Sequence, residues 1–305
     1  GNLLVAEADE SDGSFLHLTP AIAAITNIDP EHLDHYGDLA GVQDAFVAFA
    51  NRVPFYGLVV CCLDNANLQQ ILPRIDKRIA TYGFAAQADY RARDPFFDGL
   101  GVSRRGEDLG EFEVRMPGVH NVMNALATIA IADELGVDPD AVKEGLRTFG
   151  GVQRRFTVLG EAPVPGGTVT VVDDYAHHPS EVVVTLEAAQ RAYKRRIVAA
   201  FQPHRYSRTL HLFDDLTRAF NRADLVFVTD VYAAGEKPIE GATSDRLCAA
   251  IRSHGHRNVN HVPLRTDLVE QLRGVLRPGD VVLTMGAGDI TKTGPELLAA
   301  LQAAE

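Results

Sequence analysis

Cysteine is scarce in this chain: three residues, Cys61, Cys62 and Cys248, in 305. They make neither a metal-ligand spacing nor an even-numbered disulfide framework. Cys61 and Cys62 fall inside the apolar run 58–63, which predicts buried thiols of a protein kept in a reducing cytoplasm. Basic charge is also short. Against 41 Asp+Glu stand 29 Lys+Arg, and the net charge of -12 leaves no footprint for nucleic acid. No apolar run reaches the roughly 18 residues that a membrane helix needs, and no secretory signal pattern occurs. A chain this acidic that handles anionic ligands must gather its few cations in one place.

What is present suffices for two domains with real cores: 46% hydrophobic and 23% charged residues over 305 positions. From position 168 the pattern is plain strand–helix alternation. Strands are predicted at 168–172, 196–201, 225–230, 259–262 and 280–285, with helices between them and one at the end. That is the doubly wound pattern of a parallel sheet, hence an α/β fold. The first half is more mixed. Strands are predicted at 3–6, 21–28, 57–63 and 78–84, and a helix over 39–51 with Val42, Phe46 and Phe49 inward. Asp64 or Asn65 caps a helix ending near Pro73. The glycine-punctuated stretch 89–115 reads as antiparallel hairpins, and helices follow at 120–135 and 139–149. The Gly150–Gly151 pair marks the boundary between domains 1–152 and 153–305. The chain opens at Gly1, with no methionine, and enters a predicted strand almost at once. The expectation is a remainder of a longer chain.

The densest polar stretch is 171–182, VVDDYAHHPSEV. A β-branched strand ends in Asp173 and Asp174. Tyr175, His177 and His178 follow, and Pro179 opens a helix. Open α/β sheets hold ligands at that carboxyl edge. The plainer reading is that an aspartate caps the turn and the histidines are solvated. The stretch 201–209, FQPHRYSRT, repeats the logic: a strand ends at Phe201, and His204, Arg205 and Arg208 make an anion pocket for a carboxylate or a phosphate. Arg154 and Arg155 lie at the domain boundary, where a guanidinium can reach a phosphate or simply be solvated.

Two further groups lie in the first half. Glu7 with His32 and Asp29 or Asp34 offers oxygen-rich surroundings for a divalent cation, magnesium rather than zinc. Asn121 and Asn124 are three apart on one helix face, where amides can read a purine edge. The plainer reading is a helix cap, which explains Asn121 but not Asn124. The run 285–290, MGAGDI, lacks the third glycine of a dinucleotide fingerprint and reads as a tight turn after the last strand.

Taken together, these motifs resemble the Mur ligases of peptidoglycan synthesis. The residues that carry the resemblance are EADESDGSF (7–15), TNIDPEHLDHYG (26–37), PFYG (54–57), PGVHNVMNA (117–125), GVQRRF (151–156), DDYAHHPSEV (173–182), FQPHRYSRT (201–209), VYAAGE (231–236) and GAGDI (286–290). Within that family, EADESD and DDYAHHP look most like the member that adds L-alanine to UDP-N-acetylmuramate. Its siblings look to use a carbamylated lysine where this chain has Phe46. The resemblance implies the remainder of a central ATPase domain, then a Rossmann-like C-terminal domain that binds the amino acid. The P-loop pattern G-x-x-x-x-G-K-[ST] does not occur in the 305 residues, and the N-terminal nucleotide-sugar domain has no counterpart.

The same resemblance implies ATP-driven amide formation through an acyl phosphate, with magnesium. Glu7 and His32 resemble magnesium ligands, Asn121 and Asn124 adenine contacts, and Arg155 an ATP contact. Tyr175, His177, Arg205 and Arg208 resemble the alanine end. His204 would contact the sugar nucleotide or the alanine, and Asp174 would orient this loop or an ATP-side group. The expected arrangement is two sheet rims, one acidic and one rich in histidine and arginine, facing one gap. Two other classes compete. One is a module that binds a nucleotide or peptide without turnover, suggested by the missing P-loop. The other is a nicotinamide dehydrogenase, which the incomplete glycine fingerprint disfavours.

Overall fold

The computed structural model describes residues 3–93 and 99–303. The chain forms two compact units: residues 1–115 with 119–149, and residues 116–118 with 150–305.

The first unit holds strands β1 (Ile22–Ile25), β2 (Leu58–Cys62), β3 (Ile79–Gly83), β4 (Tyr90–Arg93), β5 (Leu100–Arg104) and β6 (Glu107–Phe112) in one sheet of that order. The first four are parallel, and β5 and β6 are antiparallel. The expected hairpins of 89–115 are therefore present, apart from residues 94–98, which lie outside the described residues. Helices α1 (Leu33–Tyr36), α2 (Leu39–Asn51), α3 (Ala66–Ile71), α4 (Val119–Glu134) and α5 (Pro139–Thr148) complete the unit. Local chemistry sets their starts. Asp38 accepts from the Gly41 N–H at 2.8 Å to cap α2, and Asn65 accepts from the Leu68 N–H at 2.8 Å to cap α3. Asp64, the alternative cap, instead accepts from the N–H groups of Phe84 and Ala85. Cys61 and Cys62 are buried free thiols, and burial lifts Cys61 to about 12.

One expectation fails here. Residues 3–6 form no strand, and Leu3, Leu4 and Val5 are 69%, 91% and 95% exposed. An apolar strand needs a neighbour for its backbone groups. Among the described residues β1 pairs only with β2, so nothing holds the run as a strand. The acidic loop beyond it is shaped by its own side chains. Asp9 and Asp12 accept from the N–H groups of Ser11 and Ser14 at 2.9 Å each, and Phe15 anchors the loop against Phe46 and Phe49.

The second unit runs β7 (Thr157–Val164), β8 (Gly167–Asp174), α6 (Pro179–Tyr193), β9 (Ile197–Phe201), α7 (Tyr206–His211), α8 (Phe213–Leu216), β10 (Leu225–Val228), α9 (Ser244–Ser253), β11 (Val259–His261), α10 (Leu268–Arg273), β12 (Val281–Met285) and α11 (Thr293–Gln302). The sheet order is β11-β10-β9-β12-β8-β7, parallel except for β7. Side chains of one strand sort by parity into two cores. Ile197, Ala199 and Phe201 pack with Leu186, Phe220 and Leu247 on one face, while Val198 and Ala200 pack with Leu272 and Leu297 on the other. Strand β7 is not foreseen by the alternation. Gly160 sits at a register shift with φ 148° and Pro163 interrupts the donors, two features that suit only an edge strand. Among the described residues, no helix is long and apolar enough to cross a membrane.

Candidate functional site

Strands β8, β9, β10 and β12 all point the same way. Their registers pair Asp174 with Met285, Met285 with Phe201, and Phe201 with Val228. The loops that begin at Tyr175, Gln202, Thr229 and Gly286 therefore leave one rim of the second unit.

At the end of β8 the two aspartates are buried and fully engaged. Asp173 accepts from Thr284 Oγ1 at 2.7 Å, from Thr291 Oγ1 at 2.9 Å and from Arg154 Nε at 3.3 Å. Asp174 accepts from the N–H groups of Phe156 and Ala176, both at 2.7 Å. Burial nevertheless lifts the Asp174 carboxyl to about 6. Asp174 thus ties the start of the loop after β8 to the backbone at Phe156. Arg154, in the left-handed region at φ 60°, also donates to the Gly286 carbonyl and places its guanidinium 4.8 Å from the Tyr175 ring centroid.

His177 is held from several sides. Its backbone N–H donates to Glu181 Oε2 at 3.0 Å, and its Nδ1 lies 3.0 Å from the Tyr175 carbonyl and 3.3 Å from Glu181 Oε2. Both ring partners can only accept, which assigns the hydrogen to Nδ1 and the lone pair to Nε2. Burial lowers the His177 pKa, opposed by Glu181 and reinforced by Arg208. The imidazole is therefore kept neutral, as an acceptor of protons must be.

The loop after β9 meets it. The His177 and His204 rings lie 6.1 Å apart. Arg208 Nη1, a donor, stands 3.5 Å from His204 Nδ1, which puts the lone pair of this ring on Nδ1 and the hydrogen on Nε2. Burial, then Arg208, His177 and Arg205, push His204 down to about 4. Arg205 adopts φ 64°, and its N–H donates to the Tyr232 carbonyl at 2.9 Å. Glu236 accepts from Ser207 N–H at 3.0 Å and from Ser207 Oγ at 2.6 Å. Gln202 donates to Asp289 Oδ1 at 2.9 Å and accepts from the Ile290 N–H at 3.1 Å. Three loops are thereby stitched around the arginines. Among the described residues, Arg205 and Arg208 form no salt bridge, whereas Arg154 and Arg155 do.

Such a rim can capture a carboxylate on two arginines and present a neutral imidazole to an amine. Tyr175, His177, His204, Arg205 and Arg208 come together on it. So does Arg155, which donates to Glu181 Oε1 at 3.0 Å and lies 5.8 Å from the Tyr175 ring.

The remaining candidates belong to the first unit. His32 takes the left-handed conformation at the start of α1, and its Nε2 lies 3.6 Å from Glu10 and 3.8 Å from Glu31. Glu7 is exposed and makes no ion pair with His32. Among the described residues, Glu7, Glu10, Glu31 and His32 do not draw together into three ligand atoms around one point, so His32 is flanked by carboxylates without forming a closed cation site with them. On α4, Asn121 is 5% exposed, while Asn124 is exposed. The shared face thus splits into one buried amide and one displayed amide.

Sequence reasoning missed Glu181, Gln202, Tyr232 and Glu236 as organisers of this rim. The signal was there in part: VYAAGE and GAGDI follow predicted strands, as the histidine motifs do.

Known proteins of one family resemble this chain along most of its length. The description "Mur ligase middle domain" matches residues 3–132, and "Mur ligase, glutamate ligase domain" matches residues 154–288. The UDP-N-acetylmuramate--L-alanine ligase of Myxococcus xanthus is 60% identical over 98% of the chain, and that of Sorangium cellulosum 58% identical over 99%. The chain spans 64% and 65% of those relatives' own lengths. Among solved structures, a UDP-N-acetylmuramate-alanine ligase from Thermotoga maritima superposes with a TM-score of 0.77 at 28% identity, covering 98% of this chain and 63% of its own. A MurF ligase from Thermotoga maritima, in complex with ADP, shares the fold with a TM-score of 0.74 at 16% identity, covering 96% and 65%. With both domain descriptions matched in order along it, the chain belongs to the Mur ligase family.

Proposed function

We propose that this chain carries the amino-acid-binding unit and part of the ATP-binding unit of a cytoplasmic ligase that joins L-alanine to UDP-N-acetylmuramate. The observation that carries the reading is the pair Arg205 and Arg208. In a chain of net charge -12 they form no salt bridge among the described residues, and they stand beside two neutral histidines. The names of the two most similar relatives described above supply the amino acid and the sugar nucleotide.

In this reading the two arginines hold the alanine carboxylate, which leaves the amine to point away from them. His177 Nε2 accepts a proton from the ammonium, so that the amine is neutral when it attacks. Tyr175 walls the amine end, His204 orients the bound alanine through its Nε2–H, and Asp174 keeps the loop in register. When bound, ATP would supply the phosphoryl group that turns the muramyl carboxylate into an acyl phosphate, and magnesium would offset the phosphate charge. Asn124, with the buried Asn121 behind it, is assigned to adenine and Arg155 to the phosphates. Glu7 and His32 are assigned to magnesium. The test is phosphate release by the full-length gene product across the twenty amino acids, with UDP-N-acetylmuramate and ATP present. Release that depends on L-alanine is expected. Release indifferent to the amino acid would overturn the reading.

A further inference from the structure

Glu181 is a half-buried carboxylate that the proposed reaction does not use. It is the third residue of α6 and completes the cap of that helix. Its Oε2 accepts from the N–H groups of His177 at 3.0 Å and His178 at 3.2 Å, and lies 3.3 Å from His177 Nδ1. Its Oε1 accepts from Arg155 Nη1 at 3.0 Å. Burial alone would raise this carboxyl, but His177, the backbone donors and Arg155 hold it below the ordinary value. A helix cap needs one oxygen. The second oxygen is spent on an arginine 26 residues away in sequence.

We infer that Glu181 is a positioning residue, which links the arginine assigned to ATP with the histidine assigned to the alanine amine. The inference rests on the functional reading above for those two roles. Its two oxygens have separate duties, so they can be separated by mutation. In Glu181→Gln the amide oxygen must stay where Oε2 was, because two backbone N–H groups need an acceptor. The amide NH2 then faces the Arg155 guanidinium, donor against donor, and that contact is lost while the cap and the His177 contact remain.

The experiment is a double-mutant cycle in the full-length gene product. Arg155→Ala and Glu181→Gln should each raise the KM for ATP by about tenfold, the scale of one charge-assisted hydrogen bond. The double variant should show no more than either alone, and the KM for alanine should stay near wild type in Glu181→Gln. Glu181→Ala should disturb both KM values. Additive effects on ATP, or a Glu181→Gln protein with unchanged KM for ATP, would overturn the inference. So would an Arg155→Ala protein with wild-type ATP dependence. If the wild-type protein binds ATP but shows no alanine-dependent release, the functional reading fails alone, and the same cycle read in ATP affinity still decides the inference.

Discussion

The Tyr232 ring lies flat on the His204 imidazole, with centroids 5.6 Å apart and planes 9° from parallel. The two residues also form an isolated parallel bridge, and the Arg205 N–H donates to the Tyr232 carbonyl. The loops after β9 and β10 are thus joined by both backbone and rings. Stacking on Tyr232 helps to bury His204, and burial is the first cause of its lowered pKa.

Tyr232→Ala should therefore free the His204 ring. We expect a rise in the KM for alanine with little change in the KM for ATP, and a stability loss of about 1 kcal/mol for the aromatic contact. Steady-state kinetics and denaturant unfolding check the two parts separately.

Gly288 tolerates no side chain. A Cβ there would lie 2.4 Å from Gln202 Oε1 and 2.7 Å from Tyr232 Cγ. Gly288→Ala should destabilise the second unit by about 1–3 kcal/mol through overpacking. Adding Gln202→Ala should recover only part of that, because the Tyr232 clash remains. A double variant as stable as wild type in urea would refute this account.

His204 sets a pH signature. Its folded pKa, about 4, lies below the unfolded value, so the unfolded chain binds the proton first as pH falls. Stability from this group is complete above about 6.5 and lost as pH falls toward 4. Asp174, raised from 3.8 to about 6, acts in the opposite sense, favouring the folded state as pH falls through that range. Comparison of His204→Gln with wild type isolates the histidine. The variant should lose less melting temperature between pH 6.5 and 4.5 than the wild type does.

Arg205→Ala and Arg208→Ala should each raise the KM for alanine by about tenfold or more, the scale of a hydrogen bond to a charged group. Neither should lower the melting temperature appreciably, because neither arginine has a salt-bridge partner among the described residues. Competition kinetics with alanine methyl ester, which lacks the carboxylate charge, provides the check: the ester should discriminate little between wild type and variants.

The rim of the second unit was readable before its coordinates because each motif sat directly after an apolar run of strand length. Thr170, Val171 and Val172 force a strand, Pro179 forces a helix start, and what lies between must surface at the sheet edge. The helix over 39–51 was readable from Val42, Phe46 and Phe49 recurring on one face, and the structure adds the Asp38 cap. Residues 3–6 misled because apolarity predicts a strand only when a partner is at hand. Strand β7 was hidden because Gly160 and Pro163 signal irregularity, and an edge strand tolerates both.

Local spacing alone determined which side chains reach the end of β8 and of β9, because a strand's period and a proline's fixed φ act over a few residues. Which of those side chains are already engaged was decided only in three dimensions. Arg154 reaches Asp173 and the Gly286 carbonyl, Glu181 reaches Arg155, and Arg205 and Arg208 form no salt bridge among the described residues. Hydrogen bonds between loops dozens of residues apart follow from the order of strands in the sheet, and no local pattern encodes that order.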